Sequence, residues 1–149
     1  NNKKEEKKKD IALKLIKKAN AVHIGGDQHI ATVIHHGIDN YEDGPWAFVV
    51  PAIVNNYYSR WWWPESKKAG VNSNPNLPWT GRYLDGFNNK ITMHAYANPD
   101  TNSNGAGYGI IKFKKDSKDV TFECWPRYVD VKKENATQFT GWPITISLD

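Results

Sequence analysis

Hydrophobic positions recur with two different periods along this chain, and the change between them predicts its elements. From Asp10 to Ala19 the apolar residues Ile11, Ala12, Leu15, Ile16 and Ala19 fall three and four apart, with Lys14, Lys17 and Lys18 around the other side. That spacing predicts an amphipathic helix packing its apolar side inward, and Asn20 offers a C-terminal stop. Val22-His23-Ile24 then reads as a short strand. Further strand patterns occupy Thr32 to Ile34, Ala47 to Val50, Lys90 to Ala97 and Ile144 to Leu148. Tyr108 to Lys114 and Val120 to Trp125, joined by the polar Asp116-Ser117-Lys118, read as a hairpin. The expectation is a β-rich α+β or α/β fold with one N-terminal helix and about six to seven strands. Residues 55–89, rich in Asn, Pro, Gly and Trp, read as one long irregular segment, and such segments in compact domains are often functional.

Charge refines the domain picture. Residues 3–10 are all charged, which predicts a solvated segment over 1–10 followed by a single domain over 11–149. Residues 1–18 hold eight lysines against three carboxylates, a net of +5, whereas the rest carries 12 basic and 13 acidic residues, a net of −1. The basic pI of 9.1 is therefore a property of the N-terminal segment. A reader of nucleic-acid backbones needs its basic residues clustered on the folded surface, so nucleic acid is not an expected partner. No stretch approaches the roughly 20 apolar residues of a membrane span. The charged start and the short, interrupted apolar stretch after it do not form a signal peptide. At 149 residues, one domain would bury about 68–70% of its unfolded surface. With mean hydropathy of −0.71 and only 39% hydrophobic residues, much of that burial must come from seven Trp, seven Tyr and five Phe.

Candidate chemistry concentrates where the first strand ends, at Gly26-Asp27-Gln28-His29. Side chains two residues apart on an extended chain share a face, so Asp27 and His29 would project together. A carboxylate oxygen and an imidazole nitrogen suit zinc, iron or manganese, and a bound ion generates hydroxide near neutral pH. A helix leading to a strand whose C-terminal end carries the ligands is the layout of open α/β sheets. So short a motif also reads as a turn-capping Asp beside a hydrogen-bonded His. Tyr57, Tyr58, Trp61, Trp62 and Trp63 could wall a cleft in which Arg60 meets a phosphate oxygen, or they could bury the long segment against the sheets. Adjacent His35 and His36 face opposite sides of a strand; with His23 and His94 they read as ordinary hydrogen-bonded histidines. Cys124, the only cysteine, reads as a buried inert thiol. The tryptophan count also fits a non-catalytic carbohydrate-binding β module, whose aromatic faces stack on sugar rings.

Longer segments carry a resemblance. Gly25-Gly26-Asp27-Gln28-His29, His35-His36-Gly37-Ile38-Asp39 and the run from Asp43 to Ile53 come first. Arg60-Trp61-Trp62, the run from Gly81 to Phe87, Gly107-Tyr108-Gly109-Ile110 and Glu123-Cys124-Trp125-Pro126-Arg127 follow in order. Together they resemble the C-terminal part of alkaline-phosphatase-D-like metallophosphoesterases. The resemblance implies part of a calcineurin-like four-layer α/β/β/α sandwich. It also implies hydrolysis of phosphate mono- or diesters by metal-activated water, with Fe, Zn, Mn or Ca as cofactor and Asp27 and His29 as catalytic metal ligands. Such enzymes also use Asp-x-His, Gly-Asp-x-x-Asp and Gly-Asn-His motifs, which do not follow here in that order. Asp27-Gln28-His29 is accordingly placed as the last metal motif. The implied partners are a small phosphate ester and an upstream part of the same enzyme, and the implied location is extracytoplasmic, periplasmic or secreted.

Overall fold

A computed structural model describes residues 2–26, 30–53, 77–97 and 105–148. Among these residues lie one helix, α1 (Asn2–Lys18), and eight strands: β1 (His23–Gly25), β2 (Thr32–His36), β3 (Trp46–Val49), β4 (Gly81–Leu84), β5 (Lys90–Tyr96), β6 (Gly107–Phe113), β7 (Asp119–Pro126) and β8 (Ile144–Ser147). The expected β-rich α+β class is what forms. Five strands make a sheet in the order β1-β3-β2-β5-β4, and three make a second in the order β6-β7-β8. β1 runs parallel to β3, and the other pairings are antiparallel.

The two sheets meet through aromatic rings. Phe48 of β3 is fully buried, with Phe122 of β7 at 5.1 Å and Trp142 at 5.6 Å between ring centroids. Both pairs are tilted, an arrangement that suits the ring quadrupoles. Gly109 of β6 makes this approach possible: a Cβ there would sit 2.8 Å from two Phe48 ring carbons. Val33, Met93, Ala95, Tyr96, Val120 and Ile146 extend the same core. Along β7, Val120, Phe122 and Cys124 turn inward while Thr121, Glu123 and Trp125 turn to the other face, the period-two alternation of a strand. Glu123 is nevertheless buried, and its carboxylate is answered by Trp125 Nε1 at 3.0 Å and by the Lys112 ammonium. Thr121 and Thr145 share a cross-strand hydroxyl contact of 2.9 Å.

The hairpin expected around Asp116-Ser117-Lys118 is present as β6 and β7, paired from Gly107↔Pro126 to Phe113↔Val120. The stop expected at Asn20 is present too. Asn20 takes φ 50°, its N–H donates to Lys17 O, and the Ala21 N–H donates to Ile16 O. Those two bonds define a Schellman cap with Asn at the left-handed position. Two expectations need correction. α1 does not turn its apolar stripe inward: Ile11 is 53% and Leu15 61% exposed, while Leu13 is buried. The helix is fixed by the adjoining stripe, where Lys9 pairs with Asp85 at 3.5 Å and Lys17 donates to Asp43 O at 2.6 Å. And β4 lies inside the segment read as irregular; its four residues become a strand by pairing with β5 from Gly81↔Met93 to Leu84↔Lys90.

These exposures separate two substitutions. Phe48→Ala should cost about 3–5 kcal/mol, because it empties the inter-sheet contact. Leu15→Gln should change stability by less than about 0.5 kcal/mol. Urea unfolding of both variants checks the contrast.

Candidate functional site

The parallel ladder of β1 fixes where the candidate motif leaves the sheet. Its last pair is Gly25↔Val49, and Val50 N–H donates to Gly25 O at 3.0 Å. Beyond that pair, both strands exit at one edge. β5 ends at the same edge, because Thr32 at the start of β2 pairs with both Val49 and Tyr96. Ala97 N–H then donates to Ala31 O at 2.9 Å. The second sheet joins here: Gly107 N–H donates to Ala52 O, and Arg127 N–H to Ala106 O. This edge therefore gathers the carboxyl ends of β1, β3 and β5 and the Gly107–Pro126 end of the second sheet. Asp27 and His29 lie outside the described residues, between Gly26 and Ile30 of this edge. Tyr57, Tyr58, Arg60 and Trp61 to Trp63 also lie outside them, between Ile53 and Leu77.

The histidines that are described sit elsewhere. His35 stacks on Trp46, centroids 4.1 Å apart, and Trp46 meets His94 at 4.6 Å. As expected of neighbours on a strand, His36 takes the opposite face, near Lys9 and His23. His35 Nε2 lies 3.0 Å from Gly44 O, whereas His36 Nδ1 and His94 Nε2 are buried without a hydrogen-bond partner among the described residues. The ordinary reading of these histidines thus holds for His35 and fails for two buried ring nitrogens. A cavity of about 230 Å³ lies beside His35, Trp46, Glu42 and Lys17. It is at the far edge of the sheet, where Gly37 bonds to Lys90 and the β2–β3 loop turns back. Asp43 ties that loop by accepting the backbone N–H groups of Ile38, Asp39 and Asn40 at 2.5, 3.1 and 2.7 Å.

Burial governs the ionisation of this far edge. It lowers His35 against the opposing bond to Gly44, and it lowers His94, to which His35 adds. Burial and then Lys9 bring His36 from 6.5 to about 4. The Arg82 hydrogen bond, at 2.9 Å, holds Glu42 below its usual value. Burial pushes Asp43 up, but its three backbone donors outweigh that and leave it lowered. Neutral, stacked imidazoles of this kind pack the sheet end. Among the described residues no group of three or more His, Cys, Asp or Glu is placed to hold a metal ion.

Three further side chains bear on chemistry. Cys124 is fully buried and burial raises its thiol, so it is the inert thiol expected. Trp125 and Trp142 are buried and Trp46 is covered by His35, so these rings hold the protein together. Arg127, unweighed in the sequence except as part of a motif, stands at the strand-end edge with Nη1 3.5 Å from Ile53 O. Only its place one residue past a strand end could have marked it. No helix among the described residues is long and apolar enough to cross a membrane. No protein-family model, curated protein or solved structure matches the chain.

The histidine shifts give a pH dependence with a definite sign. Unfolded imidazole takes up its proton near 6.5, whereas folded His36 does so near 4, so the unfolded state binds more protons between those values. His36 therefore contributes full stability above pH 6.5, and that contribution is lost as pH falls toward about 4. Proton NMR should give His36 a titration midpoint of about 4, and His36→Leu should flatten the decline of the thermal midpoint across this window.

Proposed function

We propose that this chain is the C-terminal portion of a metal-dependent phosphoesterase, with Asp27 and His29 as ligands of the catalytic ion and water as nucleophile. The observation that carries the reading is the parallel pairing of β1 with β3. It sends the chain after Gly25 out at the edge where β3 and β5 also end, and ligands of open α/β sheets bind outside such carboxyl ends. The donor set supports it as well: one anionic oxygen and one imidazole nitrogen fit Zn, Fe or Mn, and the carboxylate alone suits Ca.

The residues divide the work. Asp27 and His29 would hold the ion, which would supply a hydroxide near neutral pH and polarise a phosphoryl oxygen. A Cβ at Gly26 would meet nothing within 4 Å among the described residues, whereas one at Gly25 would touch Val49 Cγ2 at 3.5 Å. The other ligands and the proton donor to the leaving alcohol belong to upstream sequence. The calcineurin-like four-layer sandwich is part of this proposal, supported by two sheets packed face to face with a helix beside them. Export of the parent enzyme is part of it too, on the resemblance.

Asp27→Ala and His29→Ala should each weaken Mn²⁺ binding at least about tenfold by calorimetry. In a chain extended upstream, each should abolish Mn²⁺-dependent hydrolysis of an aryl phosphate. Unchanged Mn²⁺ affinity in both variants would sink the proposal.

A further inference from the structure

Arg127 follows β7 directly, at the edge from which the chain after Gly25 departs. Its backbone is pinned by the N–H bond to Ala106 O at 3.0 Å, and Ala106 precedes Gly107, which donates to Ala52 O. Its guanidinium reaches Ile53 O, four residues beyond Val49, the partner of Gly25. The side chain thus spans from the second sheet to the outgoing end of β3. Its Cζ lies over the Tyr128 ring, 4.4 Å from the centroid, and Nη2 contacts the Tyr128 hydroxyl. Tyr128 is 85% exposed, so the ring serves as a platform rather than as core.

Among the described residues, charge distinguishes Arg127 from the neighbouring strand ends. Gly26, Ala31, Ala52, Ile53 and Ala97, which carry the neighbouring strand ends, are all uncharged. The ion pairs among the described residues join Lys9 to Asp85, Arg82 to Glu42 and Lys112 to Glu123, so Arg127 has no carboxylate partner there. A guanidinium held by the Tyr128 ring and hydroxyl and by one long bond to the Ile53 carbonyl keeps the rest of its five donors open. Its fork matches two oxygens of a phosphate, which an ammonium cannot do.

We infer that Arg127, oriented by Tyr128, binds the phosphoryl oxygens of the substrate at the strand-end edge. This deepens the phosphoesterase reading and rests on it: the ligand class is a phosphate monoester or diester, with inorganic phosphate as product and simplest probe. Arg127 supplies charge and orientation from the end of the second sheet, beside the outgoing end of β3. Tyr128 is a positioning residue that fixes the guanidinium plane.

The test is titration of this chain with inorganic phosphate, followed by NMR at the Arg127 Nε–Hε signal. Phosphate should shift that signal. Affinity should fall about tenfold in Arg127→Gln, less in Arg127→Lys, and not at all in Lys115→Gln, which lies in the turn at the other end of β6. Tyr128→Ala should weaken phosphate binding less than Arg127→Gln does. Equal affinity in Arg127→Gln and the unaltered chain, or no shift at Nε–Hε, overturns the inference. The two readings fail separately. Normal Mn²⁺ binding with an inert Arg127 removes only this inference. Phosphate binding lost in Arg127→Gln, with Mn²⁺ binding indifferent to Asp27→Ala, removes the metal site and keeps the anion site.

Discussion

Three residue pairs, His23↔Ala47, Ile24↔Phe48 and Gly25↔Val49, align β1 parallel with β3, and the edge at which the chain leaves after Gly25 follows from that alignment. Had β1 paired antiparallel, the chain after Gly25 would leave at the edge where α1 and the β2–β3 loop lie. The parallel pairing instead directs it to the edge shared with the ends of β3 and β5. Phe48, the middle partner in β3, is also the ring that joins the two sheets. β3 therefore both pairs with β1 and docks the second sheet, whose Gly107–Pro126 end brings Arg127 beside Ile53, just past β3.

The two edges of the large sheet differ in kind. One holds hydrogen-bonded turns, with Asp43 accepting three backbone N–H groups and Asp85 accepting from Phe87 and Asn89, and a stack of neutral imidazoles on Trp46. Its turns are tied by these carboxylates, while His36 Nδ1 and His94 Nε2 are buried without a hydrogen-bond partner among the described residues. The other, among the described residues, gathers the uncharged Gly26, Ala31, Ala52, Ile53 and Ala97 and the Arg127 guanidinium over the Tyr128 ring. Gly25 ends β1 there and Gly26 follows it, and a Cβ at Gly26 would meet nothing within 4 Å among the described residues.

Local features were legible in the sequence and non-local ones were not. The β6–β7 hairpin could be read because its turn residues sit between its own strands, and Asn20 because a helix cap is a matter of a few neighbouring bonds. The face of α1 misled: periodicity reports where apolar residues lie, whereas Lys9 and Lys17 anchor the helix through contacts with Asp85 and with Asp43 O, distant in sequence. β4 escaped because four residues between Gly81 and the Asp85 turn carry little pattern without their partner, β5. For the site, Asp27 and His29 stood out as residue types at strand spacing. That the ends of β3 and β5 and Arg127 gather at the edge the chain reaches after Gly25 depends on contacts between segments up to 74 positions apart, which no local pattern encodes.

Paramagnetic broadening of amide signals by Mn²⁺ tests most directly whether the strand-end edge is the metal edge. Adding Mn²⁺ to this chain should broaden the amides of Gly26, Ala31, Ala52 and Ala97 while leaving those of Gly37, Gly44 and Asn89 sharp. Broadening centred on the β2–β3 loop beside His35 and Glu42, or spread without preference over both edges, would contradict it.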